Sequence, residues 1–523
     1  MKRVISFIAM VICIFAITPS FAQSSYGAYL LGDYQRQGTA RSVAMGNAMT
    51  ALGGDLGAIA INPAATAVYK YNEVSITPAV TSVNTYCNYL GAPSTDKRST
   101  FGIANIGGVS VINTGANYGI KSISIGVSYN KQNNFNYGYK AAASGVDHSY
   151  SRYLADLTNA YGSYYSPRLS GYDLDKNDHT DPYTLGSALW PSILGWNASL
   201  FDTLATDPCK FVPNKYAGAQ GYRSTQSIRR KSYGSIGEYD LNFGLNISDK
   251  LYIGMNMGLF TVWNKVEETY SEDNEIVGST DAFAYVDQVY NLRTTGAGVN
   301  FKFGFIWTPS TFFRLGGAVS TPTWYQLKDK YYWDMSVGYN DGYNAMLSSP
   351  EGEYDYRINT PFQYNVGMAF VLPNGTISLD YEANNLAQTR FRNKVDVESF
   401  DKSDFSYENN FLKTHCSNSH NLRVGVEINP ISLLSLRGGF QYTRVGLKSD
   451  YFGQTSEKYI ASAGFGINTP SGFFADFAVA ANLKKYNVNL FDDEPGADYM
   501  LNSTYTGIKR NGFQVLATFG WRF

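Results

Sequence analysis

The chain has 523 residues, with 42 Lys and Arg against 43 Asp and Glu, a net charge of −1, and no basic run of the kind that binds nucleic acid. Its 42 Tyr, 31 Phe, 7 Trp and 50 Gly stand against only 17 Pro and 4 Cys, a balance suited to strands that meet a membrane interface and pack a crowded interior. Beyond the N-terminus no apolar run is long enough to cross a bilayer as a helix, and mean hydropathy is −0.24; this excludes a helical membrane protein and leaves a secreted β-sandwich array or a barrel.

The first expected element is a leader. Met1-Lys2-Arg3 opens a charge-free apolar stretch from Val4 to Pro19, and Pro19-Ser20-Phe21-Ala22 sets small residues before Gln23, so residues 1–22 read as a secretory signal peptide. Cys13 lies inside that run, not at the start of a mature chain, so no lipid anchor is expected. Cys87, Cys209 and Cys416 are too few for a disulfide framework. His148, His179, His415 and His420 show no metal-ligand spacing, so neither a metal nor another cofactor is expected.

Next comes a segment of small residues, 23–72. The stretch Gly38 to Gly54 predicts a closely packing helix over 40–52, stopped by Gly53-Gly54. Asn62 is pushed off helical geometry by Pro63, with Ala64 following. A segment so poor in bulk suits a confined place.

Period-two alternation then sets in. Phe513, Val515, Ala517, Phe519, Trp521 and Phe523 share one face of the last segment, and Val299, Phe301, Phe303, Phe305 and Trp307 share one face of another. Fourteen such strands are predicted: 73–83, 99–113, 119–131, 235–247, 251–263, 289–307, 312–325, 356–372, 375–385, 419–428, 433–445, 457–468, 472–483 and 510–523. Between the third and fourth lies a long, partly helical segment, 132–234, in which Ser151 is the expected cap of one helix and Asp181-Pro182 starts another. Its apolar concentration, including Leu185, Leu189, Trp190, Ile193, Trp196 and Phe201, reads as the core of a lid and as a surface that captures a hydrophobic ligand.

Short connections at 248–250, 308–311, 373–375, 429–431 and 469–471 alternate with long ones, as in a barrel with one tight rim and one elaborated rim. The expected architecture is therefore all-β: a 14-stranded antiparallel transmembrane β-barrel over 73–523, with a small helical hatch, 23–72, in its lumen. Asp240, Lys302, Arg314, Asp380, Glu382, Arg423, Glu427, Arg437 and Asp476 fall on the lumen face and read as a cross-lumen ion-pair network.

The stretch Ala40-Arg41-Ser42-Val43-Ala44-Met45-Gly46-Asn47-Ala48-Met49-Thr50-Ala51-Leu52, Asp55, and Asn62-Pro63-Ala64 before the first strand resemble the N-terminal hatch of FadL/TodX-type outer-membrane transporters. That resemblance implies passive uptake of hydrophobic compounds across the outer membrane, such as long-chain fatty acids or aromatic hydrocarbons. It implies a hatch or gate at Asn62, Pro63 and Ala64, and lateral release beside a kinked third strand, where Gly126 is the expected bend. The partners it implies are a hydrophobic small molecule, outer-membrane lipid and lipopolysaccharide. The aromatic-x-Phe ending at Phe523 further resembles the strand read by the barrel-assembly machinery. No enzymatic activity is expected. Two other readings stay open: a carrier or assembly role in secretion, and a lipid hydrolase using His415 and Ser417 with Asn418 or Asn421 as orienter, although Asn418 points to the opposite face.

Overall fold

Strands that are apolar on one face must still hide their polar edges, and closing the sheet on itself removes the edges altogether. The computed structural model describes residues 35–163, 165, 167–176, 181–215, 217, 222–274, 283–393, 405–448, 457–489 and 505–523; the expected leader, 1–22, and the start of the hatch, 23–34, lie outside the described residues. The described residues form a closed barrel of fourteen antiparallel staves. These are β1 (Glu73–Tyr89), β2 (Ala92–Asn113), β3 (Ile120–Asn134, continued by Tyr137–Val146), β4 (Ser224–Ile247), β5 (Leu251–Asn274), β6 (Phe283–Ser310) and β7 (Phe313–Ser320, continued by Trp324–Tyr339). The second half comprises β8 (Gly352–Asn359, continued by Gln363–Leu372), β9 (Gly375–Asn385, continued by Arg390–Asn393), β10 (Asn418–Ile431), β11 (Leu434–Arg444), β12 (Glu457–Asn468), β13 (Phe473–Asn489) and β14 (Tyr505–Arg522). Each stave pairs with its neighbours in sequence, and β14 returns to β1 in a register running from Glu73↔Arg522 to Asn88↔Gly507.

The alternation settles which face is which. Phe303 is 49% exposed on the outside, whereas the adjacent Lys302 is 3% exposed and points inward. Leu241, Met255, Phe303, Val366, Leu379, Phe440, Val479 and Val515 continue this exposed apolar belt around the barrel, a surface that only lipid can cover. No described helix is long and apolar enough to cross a membrane.

The staves depart from the expected ones in three places. Residues 84–98 are not a loop: β1 and β2 run on and meet in a two-residue turn at Leu90 and Gly91, both at positive φ. The seventh and eighth strands are interrupted, at Thr321-Pro322-Thr323 and Thr360-Pro361-Phe362, because each proline withdraws an N–H from the ladder. The two breaks face one another and are stitched by Thr360 N donating to Thr323 O and Thr323 N donating to Thr360 Oγ1. Much of the expected long connections 264–288 and 326–355 is also strand, which lifts β5 to β8 well above the apolar belt.

Candidate functional site

Residues 35–69 occupy the lumen as a plug. Thr39 caps a helix that covers only Ala40–Ala44, not the expected 40–52, because Gly46 and Asn47 turn the chain at φ +61° and +57°. Asp55 and Asn62 then cap two short 3₁₀ turns, Leu56–Ala60 and Pro63–Val68, with Asn62 in extended geometry as Pro63 requires. Asp55 also accepts from Thr39 Oγ1; burial pushes its carboxyl up from the ordinary range, against the pull of Arg41 and Thr39.

The wall makes room for the plug with glycine. A Cβ on Gly304 would stand 2.0 Å from Asn62 Oδ1, and one on Gly254 would stand 2.2 Å from Pro63 O. Gly316 and Gly439 are equally tight against Thr50 and Gly46. With Gly126, Gly244, Gly367, Gly425 and Gly464, these place one plug-facing glycine on each of β3 to β8 and β10 to β12.

Polar contacts fasten what the glycines admit. Asn62 Nδ2 donates to Thr50 O (2.7 Å) and Phe305 O (3.0 Å), while Asn62 Oδ1 accepts from Ala64 N. Asn242 Nδ2 donates to Pro63 O, Lys302 Nζ to Ala60 O, Arg314 Nη1 to Leu52 O, and Thr50 N to Asp380 Oδ2. Two charged clusters join plug and wall: Arg36 and Arg423 meet at Glu382, and Arg41 and Arg437 meet at Glu427, with Arg437 also donating to Asp476. Lys302 pairs with Glu238. Most of the expected lumen charges thus meet one another, whereas Arg314 and Asp380 bond the plug backbone, and the plug's own Arg36 and Arg41 complete the two clusters. Two arginines in so small-residued a segment were the available signal.

The barrel wall parts beside the plug. β2 and β3 pair from Asn113↔Ser122 only as far as Asn105↔Asn130; beyond that fork β2 keeps β1 as its partner while β3 follows β4. Asn105 Nδ2 caps the fork by donating to Tyr129 O and Asn130 Oδ1. In place of β2, the freed edge of β3 receives the plug, with Gln35 N donating to Gln132 O and Gln37 N to Lys131 O. The third stave does bend, but not at Gly126, which sits in unbroken register opposite Val109 and faces Thr66 and Ile59. The irregularity falls between Lys131 and Asn133 and ends the strand at Asn134. The run Asn133-Asn134-Phe135-Asn136 explains it: these amides bond the local backbone (Asn134 N to Asn133 Oδ1, Asn136 N to Asn134 Oδ1) and compete with the ladder.

Between plug and bend lies a cleft that opens to solvent. Gln35 to Gln37 and Val43 floor it, β1 and β11 to β14 wall it, and Asn134, Asn136 and Tyr137 bound it at the bend.

Over the far rim sits a lid built from helices Tyr150–Gly162, Gly171–Leu174 and Trp190–Asn197 and a hairpin, Phe201–Leu204 with Asp207–Pro213. Its first helix is capped by Ser149; Ser151, the expected cap, lies inside the helix and donates to Leu200 O. Leu189, Trp190, Ile193 and Phe201 are buried in the lid core, Trp190 packing edge-on to Trp333 and Tyr183, whereas Leu185 and Trp196 are only partly buried. His415 ends the helix Ser406–His415 instead of lying on a strand with Ser417, since β10 begins at Asn418. No group of metal-binding side chains occurs among the described residues.

No protein-family model and no curated protein matches this sequence. Among solved structures, a Pseudomonas aeruginosa FadL homologue is similar over 94% of this chain and 99% of its own, at 10% identity and a TM-score of 0.51. The Ralstonia pickettii toluene transporter TbuX (12% identity; 93% of this chain, 98% of that one; TM-score 0.48) is also similar. So is the Pseudomonas putida toluene transporter TodX (11%; 93% and 98%; 0.48). What this chain shares is a fold, the FadL-type barrel of fourteen strands.

Proposed function

We propose that this protein is a passive outer-membrane conduit for hydrophobic small molecules, released sideways between β2 and β3. The observation that carries this reading is the fork at Asn105 and Asn130, which leaves the wall unpaired beside a cleft directly over the fastened plug. A route straight down the axis runs into the plug and its two charged clusters, which give an apolar solute nothing in return for disturbing them. A sideways route ends in lipid, where burial at ~25 cal/mol per Å² of apolar surface drives the solute on without an energy source. In this reading Asn62, Pro63 and Ala64 hold the plug's hinge, and Gly126 gives Thr66 room to shift. Leu185 and Trp196, which keep some surface, are where a ligand first lands on the lid. The protein performs no chemistry on its cargo.

The test is entry of oleate and toluene into proteoliposomes. Gly102→Trp, which fills the gap where the Lys131 ammonium now lies, should slow entry severalfold while leaving the plug contacts intact. Wild-type rates no faster than protein-free liposomes would sink the conduit; an unaffected Gly102→Trp would sink the lateral exit.

A further inference from the structure

We infer that Lys131 is the specificity-determining residue of the lateral exit: its ammonium takes the anionic head group of an amphiphile whose tail lies in the parted wall. This deepens, and rests on, the conduit reading above. Lys131 continues the outward row of β3, after Ile125, Val127 and Tyr129, and the Tyr129 ring packs 5.1 Å from that of the exposed Tyr239. Gly102 lies on the opposite, inner face of β2. Its neighbour Phe101 points outward at 75% exposure, and its partner across the ladder, Ala79, is buried in one cluster with Ala40 of the plug. Yet a Cβ on Gly102 would stand 2.8 Å from Lys131 Nζ. The outer face of one stave therefore meets the inner face of the other: past the fork, β3 passes on the lumen side of β2 and the two overlap. Gly138, in the continuation of β3, repeats the relation, since its Cβ position is 2.5 Å from Asp96 Oδ2 and 2.9 Å from Arg98 Nε of β2. Asn105 closes the overlap at the fork, and at the far end Ser94 Oγ of β2 donates to Lys140 O. Lys131 stands between these closures.

The ammonium has no counter-charge there. Among the described residues no oxygen accepts from it, and the nearby carboxylate of Asp96 is engaged by Arg98 at 3.4 Å. An ammonium carries three donors and no acceptor, so its partner must accept. A carboxylate or a phosphate does so through a charge-assisted bond, whereas a bare hydrocarbon offers nothing. A lysine that only held its charge clear of the hydrocarbon would turn toward the bilayer surface. This one turns inward, beneath Gly102, where any other side chain would occupy the space of Nζ. Its backbone is tied to the plug, the Lys131 carbonyl accepting from Gln37 N. The residue thus has the plug on one side and the exit on the other, and a solute that leaves the cleft between β2 and β3 passes its ammonium. On the lipid side the exposed ring of Phe101 gives the tail an apolar neighbour.

The experiment uses the full chain in phosphatidylcholine proteoliposomes, with entry of oleate, oleyl alcohol and toluene measured separately, and oleate binding titrated in nanodiscs of the same lipid. Lys131→Met, checked for a folded barrel by heat-modifiable migration, should slow oleate entry and weaken oleate binding about tenfold, as the loss of one charge-assisted hydrogen bond requires, while moving oleyl alcohol and toluene less than about twofold. Lys131→Arg should restore oleate. Gly102→Trp, by contrast, should slow all three probes, so that obstruction and recognition are read apart. Equal losses for oleate and oleyl alcohol in Lys131→Met, or no loss for either, overturns the inference; in the second case, wild-type entry above protein-free liposomes leaves the conduit standing. Lys131-dependent oleate binding with no probe crossing the bilayer keeps the site and removes the conduit. An outer-leaflet phosphate is the other source of a negative head group. Oleate entry indifferent to Lys131→Met, together with a thermal stabilisation by lipopolysaccharide that the same substitution abolishes, would assign the ammonium to resident lipid and overturn its role toward cargo.

Discussion

Glu382 Oε2 accepts from Arg36 Nη1 of the plug at 2.6 Å and from Arg423 of β10 on its other side, so a single carboxylate oxygen is shared between stopper and wall. The sharing is asymmetric in consequence. Loss of Arg36 leaves Glu382 paired with Arg423, whereas loss of Glu382 leaves two guanidinium groups facing each other in the interior.

Arg36→Ala should therefore release the plug without unfolding the barrel: single-channel conductance in planar bilayers rises, and heat-modifiable gel migration is kept. Glu382→Ala should cost about 3–5 kcal/mol of stability, because it strands buried charge. A Glu382→Ala barrel as resistant to heat as Arg36→Ala would show the cluster to be solvated.

Asn62→Ala removes donors to Thr50 O and Phe305 O and the acceptor for Ala64 N. At about 1–3 kcal/mol for each buried group left unpaired, this should loosen the plug hinge. Open-state noise should rise toward that of a chain lacking residues 35–69. A quiet, wild-type trace would place the hinge elsewhere.

Gly304→Ala forces a methyl to within 2.0 Å of Asn62 Oδ1, while Gly438, also on a stave, has nothing within 4 Å of its Cβ position. Overpacking of this kind costs about 1–3 kcal/mol. Urea titration should thus separate the two: Gly304→Ala shifts its midpoint down and Gly438→Ala stays near wild type.

Trp190→Ala empties the contact of the lid's Trp190 with Tyr183 and with Tyr331 and Trp333 of β7. The loss, about 3–5 kcal/mol, falls on the seat of the lid against the upper part of β7. Trypsin should then cut at Arg152, Arg168 or Lys176 while the staves stay protected; barrel cleavage at the same rate would contradict an independent lid.

The staves were legible because a lipid-facing strand leaves a local trace, one apolar residue in every two, and that trace does not depend on distant partners. The extended geometry of Asn62 was legible for the same reason, since Pro63 acts on its immediate neighbour. What escaped reading was non-local or competitive. Arg36 meets Glu382 across 346 residues and Arg41 meets Glu427 across 386. The helix expected through residue 52 yields at Gly46 to the backbones of β10 and β11, which no propensity registers. The bend of β3 was sought at a glycine, but the Asn-rich run after Lys131 decides it, through side chains that rival the ladder. Asn482 and Gln514, which line the cleft, sit on alternating strands where any polar residue would satisfy the pattern.

The short plug helix also lies across the joint where the barrel closes. Ala40 N donates to Thr518 Oγ1 of β14 at 2.7 Å, Thr518 shares a hydrogen bond with Thr77 of β1, and Ala40, Val43 and Ala44 pack with Ala79 and Leu516 from those same two staves. The first and last staves therefore meet over one patch of the plug. The plug thus braces the seam at which the barrel closes: a substitution that dislodges Ala40 or Val43 removes a shared footing from the first and the last stave at once.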